Sequence, residues 1–171
     1  MDINDLYKLY LKNPSVVTDT RNIKKGDIFF ALKGPNFNGN HYIKNALDAG
    51  AACCVVDEEP EVKSAQVIVV DDTLKALQDL AKTHRDQFRI PFIAITGSNG
   101  KTTTKELVHA VLSTKYKTYT TEGNLNNHIG IPLTILKIKA DAEMAVIEMG
   151  ANHQREIAGY CAYTLPSHGV I

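Results

Sequence analysis

The sequence predicts an α/β protein in two parts, each built on a mostly parallel sheet covered by helices. Three observations carry this prediction. Short apolar runs alternate with segments whose apolar residues recur at helical spacing, the pattern of strand–helix–strand units. The stretch PFIAITGSNGKTTTKEL, residues 91–107, reads as a buried strand, a glycine-bearing turn and a helix start in direct succession. Between the parts, Arg89-Ile90-Pro91 interrupts a helical pattern, because the residue before proline disfavours helix. The expected division is therefore 1–89 and 90–171.

In the first part, Ile3, Leu6, Tyr7, Leu9, Tyr10 and Leu11 fit a short amphipathic helix that Asn13-Pro14-Ser15 ends. Lys25-Gly26-Asp27 is a turn signal, and Ile28 to Leu32 is too apolar for a strand with a solvent face. The polar loop Lys33 to Asn40 follows, and on residue types alone it reads more readily as a connection than as a site. Residues 41–49 have helical spacing, with Gly50 as the candidate C-cap. Ala51–Val56 and Val67–Val70 are two further strands. Asp71-Asp72-Thr73 then caps a helix whose apolar face is Leu74, Leu77, Leu80, Ala81, His84 and Phe88. His84 on that face reads as a packed histidine.

The second part opens with the strand Phe92–Ile95. A helix continues through Lys105, Leu107, Val108, Val111 and Leu112, and residues 116–121 alternate as a strand. The loop TEGNLNNHIG leads into Ile131–Leu136, and residues 142–149 are a buried strand whose last polar residue is Glu148. Asn152 is the candidate cap of a helix through Ile157, Ala158 and Cys161, broken by Pro166. Gly169-Val170-Ile171 opens a further strand. If these strands are parallel, Ile95, Thr121 and Glu148 end on one edge, where such sheets bind ligands.

Composition narrows the function. Lys plus Arg and Asp plus Glu number 19 each, so no basic field favours nucleic acid. The N-terminus lacks a basic n-region and a long apolar core, and no apolar run approaches the ~20 residues of a membrane span. Three cysteines, two of them adjacent in an apolar run, fit reduced core residues of a cytosolic protein.

The chemistry concentrates at Gly97-Ser98-Asn99-Gly100-Lys101-Thr102, a G-x-x-G-K-T phosphate loop shorter than the common G-x-x-x-x-G-K-[ST] pattern. Glycines let the backbone close on a phosphate, and a helix N-terminus offers unpaired N–H groups and positive dipole. Lys101 can reach the β- and γ-phosphates, and the Thr102 hydroxyl can hold Mg²⁺. Glu148, ending a buried strand beside this loop, is placed to hold the same ion. Asn124, Asn126, Asn127 and His128 are balanced between orienting a substrate and simply forming a turn.

The segments TGSNGKTTTKE, TEGNLNNHIGIPLTIL and AVIEMGANHQREI together resemble the Mur ligases of peptidoglycan synthesis, and DTRNIKKGDIFFALKGPNFNGNHYIKNALDAGA is similar to their N-terminal domain. The resemblance covers the whole chain. Its asparagine-rich motif is similar to that of the members that join D-Ala-D-Ala to UDP-N-acetylmuramoyl-tripeptide. A sibling ligase tends to carry Thr-Thr-Pro there, and the related folylpolyglutamate synthase lacks the N-terminal module; another Mur-type or folate-type ligase is the alternative. The resemblance implies a small N-terminal α/β UDP-binding domain, followed by the first part of a P-loop, mostly parallel-sheet ATP-binding domain. It implies ATP and Mg²⁺, with Gly97, Ser98, Asn99, Gly100, Lys101, Thr102 and Thr103 cradling the nucleotide and Thr102 and Glu148 holding the metal. Lys101 would stabilise the transferring phosphoryl group, and Asn126 and Asn127 would face the γ-phosphate and the substrate carboxylate. Thr20, Arg21, Lys33 and Gly34 would contact the UDP moiety. A cytoplasmic monomer without nucleic-acid or membrane partners is expected. Family members continue beyond the position of Ile171, so the chain is expected to be a fragment, without activity by itself.

Overall fold

The computed structural model describes residues 2–171. The chain divides into two compact units, the first ending at Leu80 and the second running from Ala81 to Ile171.

The first unit opens with α1, Ile3–Lys12, whose Leu6 and Tyr10 lie one turn apart and are buried. Its sheet comprises β1 (Val16–Val17), β2 (Ile28–Phe30), β5 (Cys53–Val56) and β6 (Val67–Val69), in the order β1-β2-β5-β6 with every pairing parallel. A small antiparallel hairpin, β3 (Lys33–Gly34) with β4 (Phe37–Asn38), occupies the loop after β2. A 3-10 turn and then α2, Ile43–Asp48, return the chain to β5. The continuous apolar runs of β2 and β5 are explained by burial on both faces, since all seven of their residues are buried. Phe29, Ile43, Ala46, Cys54 and Val56 form the centre of the core. Fully burying a side chain such as Phe29 contributes about 1.5–3 kcal/mol.

Helix α3, Thr73–Arg85, begins where Asp72 accepts the Lys75 N–H at 2.9 Å. The division between units falls within this helix rather than at Arg89-Ile90-Pro91. Its last turn belongs to the second unit through side chains: His84 bonds the Ile138 carbonyl at 2.8 Å, and Arg85 donates to the carbonyls of Thr164, Phe88 and Leu165. The Arg85 guanidinium also stacks 3.7 Å from the centre of the Phe92 ring. Burial depresses the pKa of His84, which makes it the packed histidine its helical position predicted.

The second unit contains β7 (Phe92–Ile95), α4 (Lys101–Leu112), β8 (Thr118–Thr120), α5 (Gly130–Leu136), β9 (Met144–Glu148), α6 (Glu156–Thr164) and β10 (His168–Val170). Its sheet has the order β10-β7-β9-β8, again entirely parallel, with Ile95 opposite Glu148. The chain leaves β7 in one direction along the sheet and leaves β9 in the other. Right-handed crossovers therefore put α4 and α6 on opposite faces. The reversal lies between β7 and β9, and a ligand crevice opens outside the carboxyl ends of two such strands.

One local expectation fails. Asn152 does not cap α6: Arg155 takes the N-cap position with φ 68°, and Glu156 accepts the N–H groups of Asn152 and His153 at 2.7 and 2.9 Å. A carboxylate in the first turn serves the exposed backbone donors better than the shorter neutral amide.

Candidate active site

Residues 96–100 join β7 to α4 at the reversal point. Gly100 is the N-cap of α4 with φ 76° and ψ 0°, a left-handed conformation that a side chain would strain. It carries no capping side chain, so the N–H groups of the first helical turn are left for an incoming anion. The loop is anchored on the neighbouring strand by the Thr96 hydroxyl, which donates to the Met149 carbonyl at 2.9 Å. Lys101 folds back over the loop, its Nζ 2.7 Å from the Gly97 carbonyl and 3.5 Å from that of Ser98. The ammonium thus lies on the loop itself.

Glu148 is 1% exposed at the end of β9. Its Oε1 accepts the Thr102 hydroxyl at 3.2 Å and the Asn126 amide at 2.7 Å. Its Oε2 is buried and has no hydrogen-bond partner. A buried carboxylate oxygen without a donor calls for compensation. The donors around it are oxygens and amides, and no group of three or more His, Cys, Asp or Glu gathers among the described residues. That sparse set suits Mg²⁺, which keeps several waters and binds through one or two carboxylates plus substrate phosphates. The residues fit the ion.

The two adjacent asparagines part company. Asn126 reaches Glu148 and is pressed by Gly150, where a Cβ would lie 3.0 Å from the Asn126 side chain. The Asn127 Oδ1 accepts the N–H groups of Ile129 and Gly130, at 3.0 and 2.9 Å, and so starts α5. Both border a cleft of ≈ 440 Å³ together with Lys101, His128, His153 and Glu156. Two backbone N–H groups depress the pKa of Glu156. Thr121 lies where the sequence placed it, at the ligand edge of the sheet, whereas Glu156 and Lys105 are residues around this site to which the sequence reading gave no role.

In the first unit, Thr20 and Arg21 form a 3-10 turn bordering a cleft of ≈ 500 Å³ with Phe37 and Tyr42, whose rings stack at 5.6 Å. Arg21 holds Asp19 at 2.6 Å, and these hydrogen bonds lower the Asp19 pKa to about 2. Lys33 is engaged elsewhere, 3.2 Å from Asp57 and 3.4 Å from Glu58, and neither it nor Gly34 borders the cleft. Of the four candidate UDP contacts, the structure brings together Thr20 and Arg21.

Comparison with known proteins covers both units. A family model described as Mur ligase family, catalytic domain, matches residues 15–85, and one described as Mur ligase middle domain matches residues 95–171. The chain is 44% identical over 168 residues to UDP-N-acetylmuramoyl-tripeptide–D-alanyl-D-alanine ligase of Bacillus subtilis, covering 91% of this chain and 36% of that protein. The enzyme of the same name from Escherichia coli is 41% identical over 157 residues, covering 92% and 34%. Among solved structures, the UDP-N-acetylmuramoylalanyl-D-glutamyl-2,6-diaminopimelate–D-alanyl-D-alanyl ligase from Acinetobacter baumannii superposes with a TM-score of 0.85 at 37% identity, covering 91% of this chain and 35% of its own. The MurF ligase of Thermotoga maritima in complex with ADP gives 0.83 at 33% identity, covering 91% and 36%. The chain spans about a third of these relatives' lengths.

Proposed function

The chain belongs to the Mur ligase family, and on that premise we propose that it forms the substrate- and nucleotide-binding part of an ATP-dependent amide ligase. The reaction joins D-Ala-D-Ala to UDP-N-acetylmuramoyl-tripeptide. One observation carries the reading: the hydroxyl of Thr102, in the first turn after the phosphate loop, meets a buried carboxylate that has a free oxygen.

A carboxylate oxygen of the tripeptide attacks the γ-phosphorus of ATP, and ADP leaves. The resulting acyl phosphate is attacked at carbon by the amine of D-Ala-D-Ala, which loses a proton as inorganic phosphate departs. Catalysis of this kind rests on positioning and on neutralising phosphoryl charge. The loop from Gly97 to Thr103 cradles the phosphates with its N–H groups. Lys101 leaves the Gly97 carbonyl for the transferring phosphoryl oxygens. Thr102 and Glu148 would hold Mg²⁺, which would supply further charge neutralisation. Asn126 orients Glu148 through the same carboxylate oxygen that Thr102 bonds, while Asn127 holds the start of α5 and with it the wall of the cleft. In the first unit, Thr20 and Arg21 receive the UDP end; Lys33 and Gly34 join them only if the β3–β4 hairpin moves.

The first unit takes the UDP end and the second takes ATP. The protein works as a cytoplasmic monomer on soluble nucleotide substrates. No helix among the described residues is long and apolar enough to cross a membrane. The test is ADP release by the ligase that carries this sequence, given UDP-N-acetylmuramoyl-tripeptide with and without D-Ala-D-Ala. Stimulation by both substrates is expected. Absence of stimulation by either overturns the reading, and a folate substrate in their place would point to the other branch of phosphate-loop ligases.

A further inference from the structure

Lys105 is fully buried, although it lies on a helix whose neighbouring positions 106 and 107 face solvent. Its Nζ donates to the Thr121 carbonyl at 2.7 Å and lies 2.7 Å from Oε1 of Glu106, whose side chain is 59% exposed. Desolvating an ammonium is costly, and an unbranched apolar side chain would fill the same space without that cost. The charge therefore has a use other than packing.

Thr121 shows what the use is. It follows β8 directly and is itself fully buried. While its carbonyl accepts a hydrogen bond from the Lys105 ammonium, its hydroxyl accepts the Glu148 N–H at 2.9 Å. Its own N–H donates to the Val146 carbonyl at 3.2 Å. Thr102 and Lys105 are one turn apart on α4 and share a face. Helix α4 therefore grips the carboxyl end of the sheet at two points. Thr102 holds the Glu148 carboxylate directly, and Lys105 holds its backbone through Thr121. Both grips start from the helix whose first turn forms the phosphate loop, so loop and carboxylate are fixed against each other.

We propose that Lys105 is a positioning residue for Glu148, acting through Thr121 to aim the free carboxylate oxygen at the divalent cation. This rests on the reading of Glu148 as a metal ligand. The test compares Lys105→Met and Lys105→Arg in the ligase carrying this sequence. The control is Arg85→Met, which removes another buried cation of the same unit, one bonded to the carbonyls of Phe88, Thr164 and Leu165. Mn²⁺ binding in the presence of ADP is measured by electron paramagnetic resonance. Lys105→Met should weaken Mn²⁺ at least about tenfold, the scale for losing a residue that orients a metal ligand. Lys105→Arg should recover most of that loss, and Arg85→Met should lower the melting temperature while leaving Mn²⁺ affinity near the wild-type value. In a crystal of Lys105→Met, the Glu148 carboxylate should leave Thr102. Unchanged Mn²⁺ affinity with the Thr102–Glu148 contact intact overturns the proposal and leaves Lys105 a packing residue. If Lys105→Met does not fold, Thr121→Val decides: it keeps the carbonyl but deletes the hydroxyl, and unchanged Mn²⁺ affinity there is equally fatal. If the wild-type protein binds no Mn²⁺, the metal reading of Glu148 falls separately. The carboxylate's position in wild-type and variant crystals then decides about Lys105, displacement supporting the proposal and an unmoved carboxylate overturning it.

Discussion

Asn126 and Asn127 are neighbours of identical chemistry with different work. Asn126 donates a hydrogen bond to a buried carboxylate, whereas Asn127 caps a helix. Asn127→Ala should therefore cost about 1 kcal/mol of stability, the usual value of a lost cap, read by urea denaturation. Asn126→Ala should cost stability as well, since it strips a donor from a buried carboxylate, but its larger effect should be on turnover, because that oxygen is the one Thr102 shares. Equal effects of the two variants on both measurements would make the distinction void. Lys101→Ala should cost at least ~10²-fold in turnover, the scale for removing one donor to developing charge. The fold should survive, because among the described residues the Lys101 ammonium bonds the loop carbonyls of Gly97 and Ser98 and no core group. Near-normal turnover in the folded variant would make the loop merely structural. The sequence could not separate the two asparagines, because which one caps depends on where α5 begins. Nor could it reveal Lys105, since a lysine beside a glutamate on a helix normally faces solvent; its only signal was the three-residue spacing from Thr102.

At the scale of elements, continuous apolar runs were the most legible feature. Ile28–Phe30, Cys53–Val56 and Phe92–Ile95 all become buried parallel strands, because a sheet covered on both faces has no polar side to alternate with. Two-residue elements left no such trace: Val16–Val17 and the β3–β4 hairpin are fixed by pairing with neighbours rather than by a pattern of their own. Arg85 was equally hidden, since its charge reads as a helix C-terminal cation until the carbonyls of Thr164 and Leu165 are seen around it. The β5 cysteines give a direct measurement. Burial pushes the thiol pKa of Cys53 up to about 12 and that of Cys54 up to about 11. Both lie far above pH 8, so almost no thiolate is present there to react. Iodoacetamide at pH 8 should label the half-buried Cys161 first and reach Cys53 and Cys54 only as denaturant opens the first unit. Fast labelling of Cys53 in the native protein would mean that β5 opens locally.

At the scale of the whole chain, two units carry two different ligand assignments, and hydrogen exchange tests them in one experiment. A ligand at a hundred times its dissociation constant stabilises the state that binds it by about 2.7 kcal/mol. UDP should slow exchange in β2 and around Arg21, and ADP with Mg²⁺ should slow it in the phosphate loop and at the end of β9. Protection by UDP confined to the second unit would relocate the UDP end of the substrate. The parallel order of that second sheet also bears on the protein's synthesis. Strand β7 cannot complete its central pairing until β9 exists, and the bond from Thr96 to Met149 spans 53 residues. At ~5–20 residues per second, the ribosome needs about 3–10 s to bridge that gap. For that time Phe92, Ala94 and Ile95 lack the strand that buries them, so the phosphate loop that follows β7 is synthesised well before the partner that anchors it.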